Sequence, residues 1–451
     1  MAYSRWATVE ELKSKLTPIS YDSEIKKSGI PMMYDDNNLY IKDDESHTLV
    51  IGTAESDKIQ STMLPQLRLA IKARESFIVH DVKGEIYNTL SGELKKQNYN
   101  IIIINLDNPT VGNNFNPLSL PYEFYKNGKK DKAIELLENV GYYFCCNETF
   151  NTNIDPFWNN SGISLFIGLT LYLFDNAKAE EINISSLFNL ASNFDKLTEQ
   201  VKKYDKTSPI YINLSNIILA PNETKGSILS VFMQNMRLFV SRETLLKMLS
   251  SSNFDIMNIQ KEKTALFIIS NNKSTSRRLI PLIVEECYCA ATATNAKIRR
   301  LNIAIDDFEY LVPIKDFNSM LTLARSYNIK FSIFVRSLLE LRNTYGTEGT
   351  EIIKMAFGNI IYLLANDIET LESISKLCGI RQTENGLEPL ISAEDLKLLN
   401  AFEAVILIPR LYPVKTKLLP DYQIDWKFSN EKLDFKQIEN KEVKTFNITW
   451  L

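Results

Sequence analysis

Lys58 stands at the end of a loop that could cradle phosphate. The loop, Gly52-Thr53-Ala54-Glu55-Ser56-Asp57-Lys58-Ile59, separates the β-branched run Thr48–Ile51 from a helical stretch that reaches Arg74. Strand, loop and helix in this order are the setting of the phosphate-binding pattern G-x-x-x-x-G-K-[ST]. There, glycines let backbone N–H groups approach the phosphates, the lysine reaches the β- and γ-phosphates, and the last hydroxyl holds Mg²⁺. Gly52 and Lys58 match and, with Thr53 and Ser56, are the candidate nucleotide-binding residues of the loop. Asp57 stands where glycine is expected and adds a negative charge beside a polyanion; Ile59 removes the metal-holding hydroxyl. Ser61 and Thr62 follow, but a register slip to use them would displace Lys58.

Two further segments could complete such a site. Leu301-Asn302-Ile303-Ala304-Ile305-Asp306-Asp307 is an apolar run ending in two acids. Asp306 could hold Mg²⁺ through water and Asp307 could position an attacking water, although it is one methylene shorter than glutamate. Asp81-Val82-Lys83-Gly84-Glu85 directly follows the run Phe77–His80. Ligands of open α/β sheets bind at such strand ends, which makes Asp81, Lys83 and Glu85 candidates. Each segment also has a plain reading as a strand end turning into the next helix.

The elements that would position these residues read as α/β. Short buried runs at 48–51, 77–80, 101–105, 265–270, 302–306, 331–335, 360–364 and 405–408 suit central parallel strands. Between 105 and 265 the strand signal gives way to helical stretches at 129–144, 157–174, 185–192, 194–204, 210–218, 225–240 and 244–249. Asp155-Pro156 suits a helix start, with Asp as cap and Pro in the first turn. The expected organisation is an α/β domain from 1–120 and 262–451, with 1–46 as a lead-in. It is interrupted by a mostly helical insertion, 121–261, whose part near 177–240 stands as an all-α subdomain.

The chain of 451 residues has a net charge of −4, so it does not coat nucleic acid by bulk charge. The basic stretches Lys126–Lys132 and Lys297–Arg300 read as solvated surface. Five cysteines, Cys145, Cys146, Cys287, Cys289 and Cys378, form no C-x-x-C pair. Only His47 and His80 could join them, so a zinc site is not expected and both histidines read as structural. The longest apolar run, Ile163–Phe174, is shorter than the roughly 18–20 residues that span a bilayer and reads as a buried helix.

Segments along nearly the whole chain resemble one family, the TraG-type coupling proteins of type IV secretion and conjugative DNA transfer. Ser4-Arg5-Trp6-Ala7-Thr8 resembles their S-A-R-W-A-T, and His47–Gly52 the lead into their phosphate loop. Asp81–Glu85 resembles D-P-K-G-E, and Asn114–Leu118 resembles N-x-x-N-P-L. Asp155–Asn160 is similar to an acidic-P-x-W-N-N segment, and Thr224–Ser227 to T-R-G-S. Lys263–Ile269, Ile305–Phe308, Ile314–Phe317 and Pro389–Leu396 continue the match in order.

The resemblance implies a RecA-like P-loop NTPase domain with a mainly parallel sheet and an inserted all-α domain. It implies ATP and Mg²⁺ as cofactors, and homo- or hetero-hexameric rings as the assembly. The implied partners are secretion-channel components, a relaxosome or protein cargo, and single- or double-stranded DNA. Asp307, Arg325 and Arg336 would be catalytic and Asp306 the metal ligand. Arg325 matches an arginine that the family carries before a strand; Arg336 stands where the family usually places glutamine. The departures at Asp57, Ile59, Asp307 and Arg336 imply weak or lost ATP hydrolysis. The family's membrane anchor is not seen, so a cytoplasmic chain is expected, peripheral to the inner face of the cell membrane only through a partner or a missing anchor.

Overall fold

The computed structural model describes residues 3–20, 23–36, 38–145, 155–271, 273–293, 299–384, 386–438 and 442–448. Cys146 and the Lys297 end of the basic stretch lie outside the described residues. The chain divides into two units: Met1–Ile101 with Asn258–Ile268 and Thr294–Leu433, and Ile102–Met257 with Ile269–Ala293 and Asp434–Leu451.

The first unit is built on a sheet whose strands are β1 (Thr48–Gly52), β2 (Ser76–Asp81), β3 (Thr264–Ile269), β4 (Leu301–Ile305), β5 (Ile329–Val335), β6 (Asn359–Leu364), β7 (Glu403–Leu407) and β8 (Val414–Lys417). Their spatial order is β8-β7-β6-β1-β5-β4-β2-β3. The inner pairs β6–β1, β1–β5, β5–β4 and β4–β2 are parallel, whereas β7 and β8 join antiparallel. Every residue of β1 to β5 is buried, as expected of strands covered on both faces, and this is why they read as unbroken apolar runs. Parallel strands carry their C-terminal ends to one edge. Gly52, Asp81, Asp306 and Arg336, far apart in sequence, therefore follow four neighbouring strands at that edge. A further strand, Asn100–Asn105, spans the point where the chain leaves this unit.

The lead-in segment contains an unexpected three-stranded antiparallel sheet, in the order Thr17–Ser20, Asn38–Lys42, Ile30–Tyr34. Its apolar side packs Leu39 and Ile41 against Leu69, Ile424 and Trp426. It is also held by buried cations at the N-terminal ends of β4 and β5. Arg300 donates to Ser28 O at 2.8 Å, to Asp43 O at 3.1 Å and to Glu45 Oε1 at 2.7 Å. Lys330 donates to Lys42 O at 3.0 Å and to Asp44 O at 3.3 Å. Arg300 is only 3% exposed, which corrects the reading of its stretch as solvated surface: the side chain is a fastener.

The second unit is mainly helical. Helix Pro156–Asn176 starts where expected, with Asp155 accepting the Phe157 N–H at 3.0 Å and Pro156 in the first turn. It is apolar all round, and Gly168 lets Leu214 of helix Pro209–Ile218 approach; a Cβ there would lie 2.5 Å from the leucine Cγ. The chain's last segment returns to this unit. Asn183 and Asn189 donate to Lys444 O and Phe446 O at 2.8 and 2.7 Å, and the Phe446 N–H donates to Ser186 Oγ at 2.9 Å. Among the described residues no helix is long and apolar enough to cross a membrane.

Candidate nucleotide site

The phosphate-type loop keeps its backbone shape without its glycine. Asp57 adopts the left-handed conformation, φ 53° and ψ 29°, that glycine would supply, and aspartate is among the side chains that tolerate it. Ser56 folds over the loop and donates from Oγ to Thr53 O at 2.7 Å; a Cβ on Gly52 would lie 2.2 Å from that Oγ, so a side chain there would displace the serine. The Thr53 N–H ties the loop to Leu364 O at the end of β6, 3.1 Å away.

The loop delivers Lys58 into a buried cluster of charge. Lys58 Nζ lies 2.8 Å from Asp306 Oδ1 and 3.3 Å from Asp307 Oδ1. Arg336 grips Asp307 through two bonds, Nε to Oδ1 at 3.1 Å and Nη2 to Oδ2 at 3.0 Å, a fork geometry that suits a carboxylate. Lys58, Asp306 and Asp307 are 6%, 7% and 4% exposed, so their charges are compensated mainly by one another. Burial alone would lower the Lys58 ammonium, but the two carboxylates outweigh it and raise it. Burial likewise opposes ionisation of Asp307, yet Lys58 and Arg336 hold its carboxyl below its ordinary range.

Glu309, Tyr310 and Glu340 surround the cluster, and the sequence pointed to none of them. Glu309 accepts the Arg336 backbone N–H at 3.0 Å through Oε1, while its buried Oε2 has no hydrogen-bond partner among the described residues. Burial pushes its carboxyl up to about 8. Tyr310 places its ring under the Arg336 guanidinium, 5.0 Å from centroid to carbon, and donates to Glu340 Oε1 at 3.0 Å. An acid embedded in Phe308-Glu309-Tyr310-Leu311 was the one available signal for Glu309.

The remaining candidates are placed differently. Asp81, beside Asp306 across the β2–β4 pair, accepts the Tyr87 N–H at 2.8 Å and closes the start of helix Glu85–Lys96; burial raises its carboxyl. His80 Nδ1 donates to Asp306 O at 2.7 Å, and Lys83 and Glu85 are exposed. His47 accepts the Phe331 N–H through Nδ1 and meets Leu321 O through Nε2 at 2.9 Å; burial lowers its pKa to about 4, so it is a neutral structural group. Arg325 is exposed and precedes β5, whereas Lys58 sits past the opposite end of β1. A seven-residue strand separates the two ends by roughly 20 Å, so the chain does not bring Arg325 to its own Lys58.

The donor set does not form the Mg²⁺ site of a phosphate loop. Ile59 offers no hydroxyl. Ser61 and Thr62 turn theirs back to Asp57 O, at 3.0 Å, and to Lys58 O. Asp306 Oδ1 is ion-paired to Lys58 without hydrogen-bond alignment, and it and Glu309 Oε2 are carboxylate oxygens here with accepting capacity to spare. Beside Arg336 opens a cavity of about 360 Å³ whose wall carries Glu55, Glu340 and Asp367 against that single cation, an electrostatic setting that disfavours a polyphosphate.

Solved structures of similar architecture include coupling proteins. Plasmid coupling protein TrwB in complex with a non-hydrolysable ATP analogue superimposes with a TM-score of 0.72 at 14% identity, covering 97% of each chain. TrwB in complex with ADP and Mg²⁺ gives 0.72 at 15% identity, again over 97% of each. VirB4 of Thermoanaerobacter pseudethanolicus gives 0.56 at 13% identity, over 87% of this chain and 96% of that one. No curated protein matches by sequence. At these identities the structures show the fold alone: a RecA-like P-loop NTPase with an all-α domain. The family model described as "Type IV secretory system Conjugative DNA transfer" matches residues 5–385, most of the chain, and the chain therefore belongs to that family.

Proposed function

We propose that this coupling protein recruits DNA or protein substrate to a type IV secretion channel with weak or lost ATP hydrolysis of its own. The observation that carries the reading is the closed ion cluster: Lys58, Asp306, Asp307 and Arg336 neutralise one another where a nucleotide's phosphates and metal would have to be held. A polyphosphate would need to break buried pairs and meet Asp57, Glu55 and the acidic cavity wall. In this reading the helical insertion, 121–261, carries the recruiting surface for a relaxosome or protein cargo. The sheet-bearing segments, 1–120 and 262–451, join a homo- or hetero-hexamer with an active partner, peripheral to the membrane through that partner. Arg325, exposed at the far edge of the sheet, would serve a nucleotide only in a neighbouring subunit.

One observation favours a second reading, an active DNA-translocating ATPase. Asp57 preserves the left-handed turn, and Lys58 already faces both acids, so the shape of the loop survives. TrwB, of the same fold, has been solved with ADP and Mg²⁺. Titration calorimetry with Mg²⁺-ATP separates the two. The native chain is expected to give no signal at millimolar nucleotide, and the Asp57→Gly, Ile59→Thr double variant is expected to bind. Tight binding by the native chain, with hydrolysis lost in Lys58→Ala, would overturn the proposal in favour of the motor.

A further inference from the structure

At the other end of the strands the first unit holds a cavity of about 580 Å³, within the size range of small-ligand pockets. Five cations from four segments line it: Lys72, Arg74, Lys96, Lys263 and Lys427. Among the described residues two carboxylates, Glu24 and Glu93, share the wall. Glu93 is already engaged by the Ser429 N–H at 2.8 Å and by Gln97 Nε2 at 2.8 Å. In a chain of net charge −4 this is a local reversal of sign.

Ordinary structural causes account for part of it. Lys72 and Lys96 close helices Leu64–Lys72 and Glu85–Lys96, where cations offset the helix dipole, and Lys427 pairs with Asp425. They do not account for Arg74 and Lys263. Arg74 occupies a left-handed position, φ 55°, just past a helix end, where glycine would cost least. Lys263 lies over the Tyr99 ring at 5.5 Å and donates to Gln97 O. Burial, then the nearby Arg74 and Arg299 charges, lower its pKa, so like charges crowd here. Trp426 forms part of the wall. Cations crowded on the wall of one cavity suit an anion that accepts hydrogen bonds.

We propose that this cavity is a binding site for a phosphate group, held by Arg74, Lys96 and Lys263. The same chemistry serves a free phosphorylated compound or a backbone phosphate of a nucleic-acid strand. The site is independent of the Lys58 cluster, which lies past the opposite ends of the strands.

Titration calorimetry on the full chain in low salt tests this with two probes, inorganic pyrophosphate and a short single-stranded DNA. Binding of pyrophosphate that weakens about tenfold in each of Arg74→Gln and Lys96→Gln, both at exposed positions, and is unchanged in Lys58→Ala supports the site and assigns a free phosphate compound. DNA binding alone with the same response to the variants supports it and assigns a strand. Absence of binding by both probes overturns it. So does binding that ignores Arg74→Gln and Lys96→Gln, or that Lys58→Ala abolishes. Unchanged thermal melting of the variants excludes unfolding as the cause of any loss.

Discussion

The two ends of the central strands hold buried charge in opposite ways. At the C-terminal ends, Lys58, Asp306, Asp307 and Arg336 compensate one another side chain to side chain, and Asp306 Oδ1 and Glu309 Oε2 are left without hydrogen bonds. At the N-terminal ends, Arg300 and Lys330 donate mainly to backbone carbonyls of the lead-in segment. Carbonyls cannot move without moving the chain, so the second arrangement is a rivet. Side-chain pairs can exchange partners, so the first retains the chemistry of a switchable site even where Ile59 replaces the hydroxyl that would hold a metal.

The largest effect should come from breaking the rivet. Arg300→Met leaves Glu45, Glu75 and two carbonyls short of a buried partner and should cost about 3–5 kcal/mol in urea unfolding. Arg336→Gln, at the other end, should cost less, about 1–2 kcal/mol, because that guanidinium is 40% exposed and solvent screens it. Equal losses in the two variants would erase the contrast.

Glu309 gives the pH signature of the C-terminal end. Its folded pKa of about 8 lies above its unfolded value, so the folded state binds the extra proton between roughly pH 4.5 and 8. That contribution to stability is fully present below this window and is lost as pH rises through it. Stability should therefore fall from pH 5 to pH 8 in the native chain, and Glu309→Gln should flatten that slope; an unchanged slope would place the titration elsewhere. The smallest effect is expected for Asp57→Gly. The left-handed turn already exists, so a shift in unfolding free energy beyond about 1 kcal/mol would mean that Asp57 does more than shape the loop.

Much of this was readable in the residues. The runs that became β1 to β7 and the strand Asn100–Asn105 were visible because strands buried on both faces have no polar alternation to obscure them. Lys58 was visible from the phosphate-loop pattern after β1, Asp306 and Asp307 as the acids that end the β4 run, and Arg336 through the family resemblance; parallel topology then gathers them. The lead-in sheet escaped notice because Thr17–Ser20 is largely exposed and its partners are short. Arg300 was misread because a basic residue beside other basic residues looks solvated; only the carbonyls of a distant segment make its burial tolerable. Glu309 carried no spacing signal at all. Its role comes from the turn at Asp307, φ 51°, which points the following residues back under Arg336.

The position of β1 also bears on how the chain is made. Its neighbours in the sheet are β5 and β6, formed by residues 329–335 and 359–364, so the first core strand to leave the ribosome waits for segments roughly three hundred residues later. Until then its apolar surface and open edges have no lasting partner. Such long-range closure is slow and leaves the nascent chain exposed to aggregation. Production of this protein should therefore depend on chaperones, and fragments ending before residue 364 should be insoluble.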